Sequence, residues 1–161
     1  GEFPRLVLAP GDPIECEEVT SQAFYFSQRY KTPVIVISDK QLAESFYTME
    51  EKPVITKSVK SMKLDRYNSY EKDERGVATD DPKIIEKNHI ERLKKGWAIE
   101  KEAKNFTRYK LSGKKNSKNV IVGWGSPKGA ILDSIKDLDC CFLQIIYIDP
   151  FPKEINKYFD K

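Results

Sequence analysis

An α/β fold made of pieces of two parallel-sheet domains joined by a helical connector is predicted by three observations. Strand–helix–strand patterns occupy residues 5–38 and again residues 120–148, and a long lysine-rich helical pattern stands between them. The division that follows is 1–47 for the first piece, 48–117 for a basic linker with a helix at about 82–104, and 118–161 for the second piece.

The first strand is Arg5–Ala9, a short apolar run closed by the turn residues Pro10, Gly11 and Asp12. A helix follows because Asp12 can cap it and Pro13 suits its first position, while Glu15, Glu17 and Glu18 put negative charge at its positive end. Ile14, Val19, Ala23, Phe24 and Phe26 supply its apolar spacing, and Arg29 and Lys31 lie at its far end. Val34–Ser38 is almost entirely branched and apolar, as expected of a strand covered on both faces of a parallel sheet. Asp39 then caps a short helix through Gln41, Leu42 and Ala43.

Between Tyr47 and Asp81 the pattern gives way to lysines, prolines and single tyrosines, with one strand expected at Pro53–Thr56 and a turn-like run at residues 61–76. Asp80, Asp81 and Pro82 open the long helix, whose expected packing stripe is Ile85, Leu93 and Trp97 with Ile84, Ile90 and Ala98 beside it. His89 lies at the edge of that stripe, where a packing or surface role is expected. Phe106–Leu111 suits an edge strand. The second crossover unit runs from strand Val120–Val122 through the loop Gly123-Trp124-Gly125-Ser126 and helix Pro127–Leu138 to strand Cys141–Ile148.

Composition narrows the function classes. No apolar run reaches the roughly 20 residues that cross a bilayer, and the charged opening residues do not read as a signal peptide, so a cytoplasmic protein with no membrane partner is expected. Cys16 stands alone and Cys140 and Cys141 are vicinal in an apolar run, so with His89 as the one histidine no metal site is expected. Residues 51–118 carry 19 Lys/Arg against 11 Asp/Glu, which leaves the flanks net negative because the whole chain is only +3. No nucleic-acid motif accompanies that charge, and a solvated face or contact with an acidic partner subunit is the expected reading of it.

Two places carry candidate chemistry. Gly125 and Ser126 form a glycine-rich strand-to-helix turn whose free N–H groups, helped by Lys128, could hold an anion; neither GxxxxGK[ST] nor GxGxxG is present, so a tight structural turn is the competing reading. Asp39 and Lys40 follow the carboxyl end of a strand, where open α/β sheets gather ligand contacts, although helix capping by Asp39 with Lys40 solvated is the favoured reading.

Five strings in order, GEFPRLVLAPGD, SQAFYFSQRYKTPVIVISDKQLAES, ATDDPKIIEKNHIERLKKG, VIVGWGSPKGAI and FLQIIYIDPFP, resemble the alpha subunit of 2-oxoacid:ferredoxin oxidoreductases, especially its 2-oxoglutarate-type branch. The likeness runs from Gly1 to about Pro152 and is poor over Thr48–Arg75. It implies that the first piece ends the pyrimidine-type domain of a thiamine-diphosphate enzyme and that the second starts a transketolase carboxyl-terminal-like domain. It also implies oxidative decarboxylation of a 2-oxoacid to acyl-coenzyme A, with electrons passed to ferredoxin. Thiamine diphosphate, magnesium and an iron–sulfur cluster are expected outside this stretch, the first two with a beta subunit. The family's substrate-contacting and pyrimidine-activating segments are expected before residue 1, so no catalytic or cofactor-binding residue transfers, and the stretch is expected to be a structural part of a larger subunit. A stand-alone α/β module binding an anion at Gly125 and Ser126 is the alternative.

Overall fold

A computed structural model describes residues 3–59 and 70–159. The chain folds as β1 (Leu6–Leu8), α1 (Pro13–Tyr30), β2 (Val34–Val36), α2 (Lys40–Glu44), α3 (Pro82–Ala103), β3 (Tyr109–Gly113), β4 (Val120–Gly123), α4 (Lys128–Ser134), β5 (Cys141–Ile145) and β6 (Tyr147–Asp149). A 3-10 helix at Lys153–Tyr158 follows. It is an α/β fold with two three-stranded sheets, in the orders β2-β1-β6 and β3-β5-β4.

Both crossover units are present. β1 pairs parallel with β2 across α1, and β4 pairs parallel with β5 across α4. Each sheet also takes one antiparallel strand: β6 against β1, and β3 against β5. The run read as one strand to Ile148 breaks at Ile146, where the chain leaves one sheet for the other. Ile146 and Tyr147 both donate their N–H to the Arg108 carbonyl, and Ala9 N–H donates to the Ile146 carbonyl at 2.7 Å. Those bonds satisfy backbone groups that a mid-strand break would otherwise orphan.

Local chemistry accounts for the helix starts. The Asp12 side chain accepts from Glu15 N–H at 2.8 Å with Pro13 in the first turn, and Asp39 accepts from Leu42 N–H at 3.0 Å. The α1 helix ends on Lys31 in the left-handed conformation, φ 47°. The main core joins Leu6, Leu8, Val19, Phe26, Ile99, Ala103, Ile146 and Tyr147, and each such large side chain removed from water contributes about 1.5–3 kcal/mol. Sheet β3-β5-β4 alternates: Cys140 and Phe142 face Ile131 and Ile135 beneath α4, while Leu143 and Ile145 face Ile155, Tyr109 and Leu111.

The structure corrects four sequence expectations. Pro53–Thr56 is not a strand; it lies along α1, where Val54 N–H donates to Glu18 and Thr56 N–H to Ser21 Oγ, each at 3.0 Å. The β2 strand is not covered on both faces: Ile35 is 47% exposed, and among the described residues β2 pairs with β1 alone. Helix α4 is shorter than expected and has no side-chain cap, since its N-cap is Pro127, which carries no acceptor, and the Ser126 N–H is turned to Asp39. Most telling, α3 does not pack through Leu93 and Trp97. It is anchored by Ile99 and Ala103 in the core and by Gly96 facing Pro4, while Ile85, Ile90, Leu93 and Trp97 are exposed. Glu102 ties that end of α3 to α1, accepting from Arg29 Nε at 2.9 Å and from the hydroxyls of Tyr25 and Tyr30. His89 is partly buried, and residues 61–69 of the turn-like run lie outside the described residues.

Candidate functional site

The loops that leave the carboxyl ends of β1, β2 and β4 meet, and a carboxylate is buried among them. Glu15, in the first turn of α1, is 1% exposed. Its Oε2 accepts from Gly11 N–H at 2.7 Å and from Gln144 Nε2 at 2.6 Å; its Oε1 accepts from Lys128 Nζ at 2.6 Å and from Lys110 Nζ at 2.8 Å. Those four donors fill the acceptor capacity of a carboxylate. Lys128 Nζ also pairs with Asp12, the cap of the same helix.

Sheet register explains the convergence. Lys110, Gln144 and Gly123 are paired neighbours across β3, β5 and β4, so Lys110 and Gln144 project from one face, the face that also carries Phe142 and α4. Gly11 is required by the closeness of the loops. A Cβ there would lie 2.8 Å from Gln144 Nε2 and from Lys128 Cδ, and 3.0 Å from the Gly125 carbonyl oxygen. Gly125 itself adopts φ 76°, a left-handed turn, beside Asp39.

The electrostatics are those of a closed ion cluster. Burial by itself would push the Glu15 carboxyl up, but hydrogen bonds from Lys110 and Lys128, the Lys128 charge and the Gly11 N–H outweigh it and hold the group below its ordinary value. Burial likewise works against the Lys128 charge, and Asp12 and Glu15 raise it regardless. Cys16 lies beside the cluster; burial and the charges of Asp12, Glu15 and Asp39 push its thiol up, away from the nucleophilic thiolate. An ionised Glu15 with every lone pair engaged is a fastener between the two sheets and not a proton acceptor for a substrate.

The two candidate places named from the sequence face each other. Asp39 Oδ2 accepts from the Ser126 N–H at 3.2 Å, and the Leu42 N–H and Ser126 lower its carboxyl. Lys128, expected as the helper of an anion, is held by Asp12 and Glu15. Lys40 points away and pairs with Glu44 at 3.7 Å on the surface of α2. Sequence reasoning placed Glu15 only as a helix-start charge and did not single out Lys110 or Gln144. The spacing Asp12-x-x-Glu15, a capping-box pattern, was the available signal that Glu15 turns back toward the loop.

These residues do not fit thiamine diphosphate and its magnesium. A diphosphate needs open cationic and N–H donors, whereas Lys128 and Ser126 N–H already serve the chain's own carboxylates, whose charge would repel it. Among the described residues no group of three or more His, Cys, Asp or Glu is placed to hold a metal ion. Cys140 and Cys141 are buried in and beside β5, and Cys16 lies on α1, an arrangement that makes no four-cysteine cluster. No helix among the described residues is long and apolar enough to cross a membrane.

A family profile described as pyruvate flavodoxin/ferredoxin oxidoreductase, thiamine-diphosphate-binding, matches residues 2–109. The chain belongs to that family. Among curated relatives, the 2-oxoacid:ferredoxin oxidoreductase subunit alpha of Saccharolobus solfataricus is 31% identical over 193 residues, covering 98% of this chain and 30% of the relative. An Aeropyrum pernix protein, 2-oxoacid:ferredoxin oxidoreductase 1 subunit alpha, is 26% identical over 99% of this chain and 31% of its own length. The chain thus spans about a third of the curated relatives it matches. A solved structure, the 2-oxoglutarate:ferredoxin oxidoreductase of Magnetococcus marinus with 2-oxoglutarate, coenzyme A and succinyl-CoA bound, superposes with a TM-score of 0.70. It covers 98% of this chain and 33% of that one at 18% identity, a likeness of fold. The family profile and the likeness of fold together account for nearly the whole chain.

Proposed function

We propose that this chain is part of the alpha subunit of a 2-oxoacid:ferredoxin oxidoreductase with 2-oxoglutarate as substrate, and that its own contribution is to hold the subunit's framework. The whole enzyme decarboxylates the 2-oxoacid oxidatively to the acyl-coenzyme A and passes electrons to ferredoxin in the cytoplasm. A beta subunit, thiamine diphosphate, magnesium and an iron–sulfur cluster take part outside this stretch. The family match over residues 2–109, extended by relatives aligned along nearly the entire chain, carries the reading. Residues 1–47 then end the pyrimidine-type domain, 48–117 connect, and 118–161 start the transketolase carboxyl-terminal-like domain. The stop of the family match before β4 supports that last boundary.

Holding the framework is what the Glu15 cluster is built for. An anionic ligand at Gly125, Ser126 and Lys128 would have to displace Asp39, Asp12 and Glu15 from those donors. The test is turnover by the full alpha subunit purified with its beta subunit, given thiamine diphosphate, coenzyme A and a ferredoxin or low-potential dye. Reduction that is faster with 2-oxoglutarate than with pyruvate is expected; no reduction with any 2-oxoacid would overturn the reading.

A further inference from the structure

The two sheets have separate apolar interiors. Leu6, Leu8, Phe26 and Tyr147 belong to one cluster, Ile135 and Phe142 to a second, and Leu143, Ile145 and Ile155 to a third, with no residue shared. The chain passes from one sheet to the other at Ile146, where the Ile146 and Tyr147 N–H groups both donate to the carbonyl of Arg108, just before β3. Ile148 of β6, two residues beyond that passage, is the apolar side chain of the first sheet that packs into the second sheet's clusters. In the orders β2-β1-β6 and β3-β5-β4, β2 lies farthest from the passage in its sheet, and β4 lies on the side of β5 away from β3.

On that far side the contacts that cross between the sheets are polar and sorted by kind. Every acceptor, on Asp12, Glu15 and Asp39, comes from the loops after β1 and β2 or the start of α1. Every donor, on Lys110, Lys128, Gln144 and the Ser126 N–H, comes from the second sheet and its loop. An apolar seam parts only by wetting its surface, whereas a charge-sorted seam returns both partners to water when it parts, so its net hold is modest and its geometry strict. We infer that the junction is a hinge with a latch: the β3-β5-β4 sheet and α4 swing about Ile146 and the Arg108 carbonyl, and Glu15 with Asp39 holds them closed through Lys128 and Ser126. Opening starts at Asp39 and Ser126, 3.2 Å apart on the loops of the outer strands, and proceeds to Lys128. It widens the space between the loops at the carboxyl ends of β1, β2 and β4, the side on which open α/β sheets take ligands, and so gives that crevice a closed and an open form. The inference rests on contacts inside this chain and not on the choice of substrate.

The experiment uses the full-length subunit with the subunits that co-purify with it, in a Cys16→Ser background, carrying spin labels at Thr20 of α1 and Ser134 of α4. Pulsed electron resonance reads the label distances, and hydrogen exchange is followed in parallel. Lys128→Met should spread the distances toward longer values and speed exchange of the Gly11 and Ser126 amides on the order of tenfold, while the β1–β2 and β4–β5 ladders keep wild-type protection. Asp39→Ala, which unhooks Ser126 and leaves Glu15 its donors, should act in the same direction to a smaller extent. In any variant that keeps both ladders protected, label distances that do not lengthen would overturn the hinge. Loss of protection throughout both sheets in both variants would overturn it as well, because the junction would then belong to one cooperative core.

Discussion

The start of α1 and the middle of α3 reverse the usual rule of inside and outside. At α1 a carboxylate is sealed in the interior with four donors, and on α3 a tryptophan stands in solvent. Amphipathic spacing shows that a helix has two faces but does not say which face this chain covers. For α3 the choice was made at its carboxyl end, where Ile99, Ala103 and Glu102 meet α1. At α1 the cost of burying Glu15 is offset by two lysines and two neutral donors, so charge and hydrogen bonding decide what hydropathy alone would forbid.

That contrast can be broken most sharply at Glu15. Glu15→Gln keeps the shape but removes the charge facing Lys110 and Lys128, and a loss of about 3 kcal/mol of stability is expected by denaturant unfolding. Adding Lys128→Met should cost less than the sum of the two single changes, because the pair is then removed together. A drop below about 1 kcal/mol for Glu15→Gln would show that the cluster is not a fastener.

Gly11→Ala comes next, at about 1–3 kcal/mol, because the Gly125 carbonyl cannot swing aside as the ends of Lys128 and Gln144 can. The pH dependence sharpens the same point. Glu15 has a lowered pKa, so its contribution is complete above its ordinary value of 4.5 and is lost as pH falls through the folded value. Lys128 has a raised pKa, so its contribution is complete below 10.5 and is lost as pH rises through the folded value. Thermal melting of wild type should therefore be flat between those limits with respect to this pair, and Glu15→Gln should lessen the acid-side fall. The smallest effect is expected at Trp97→Ser, within about 0.5 kcal/mol in the isolated chain, since its side chain is largely solvated before and after.

Much of the fold was legible because its signals are local. Asp12 with Pro13, Asp39 with Leu42, and the apolar runs of β1, β2, β4 and β5 each act within a few residues, and each forms the element expected. The candidate site was legible in half. Asp39, Ser126 and Lys128 were named as two separate places, and only the fold shows that they answer one another. Glu15 could not be read as the centre, since Lys110, Lys128 and Gln144 lie 95, 113 and 129 residues from it along the chain. The break at Ile146 was invisible for the same reason: its cause is the Arg108 carbonyl, and nothing in the run itself interrupts the strand pattern.

The pairing of Leu8 with Tyr147 sets an order of events during synthesis. The strands β1 and β2 are made well before β6, so the edge of β1 that β6 covers stays open while residues 37–146 are synthesised. Until then Leu6, Val7 and Leu8 present an open apolar ladder on that side, which is the kind of edge that recruits the wrong neighbour. Nascent chains halted before Tyr147 should consequently bind a holding chaperone more than chains halted after β6 has emerged.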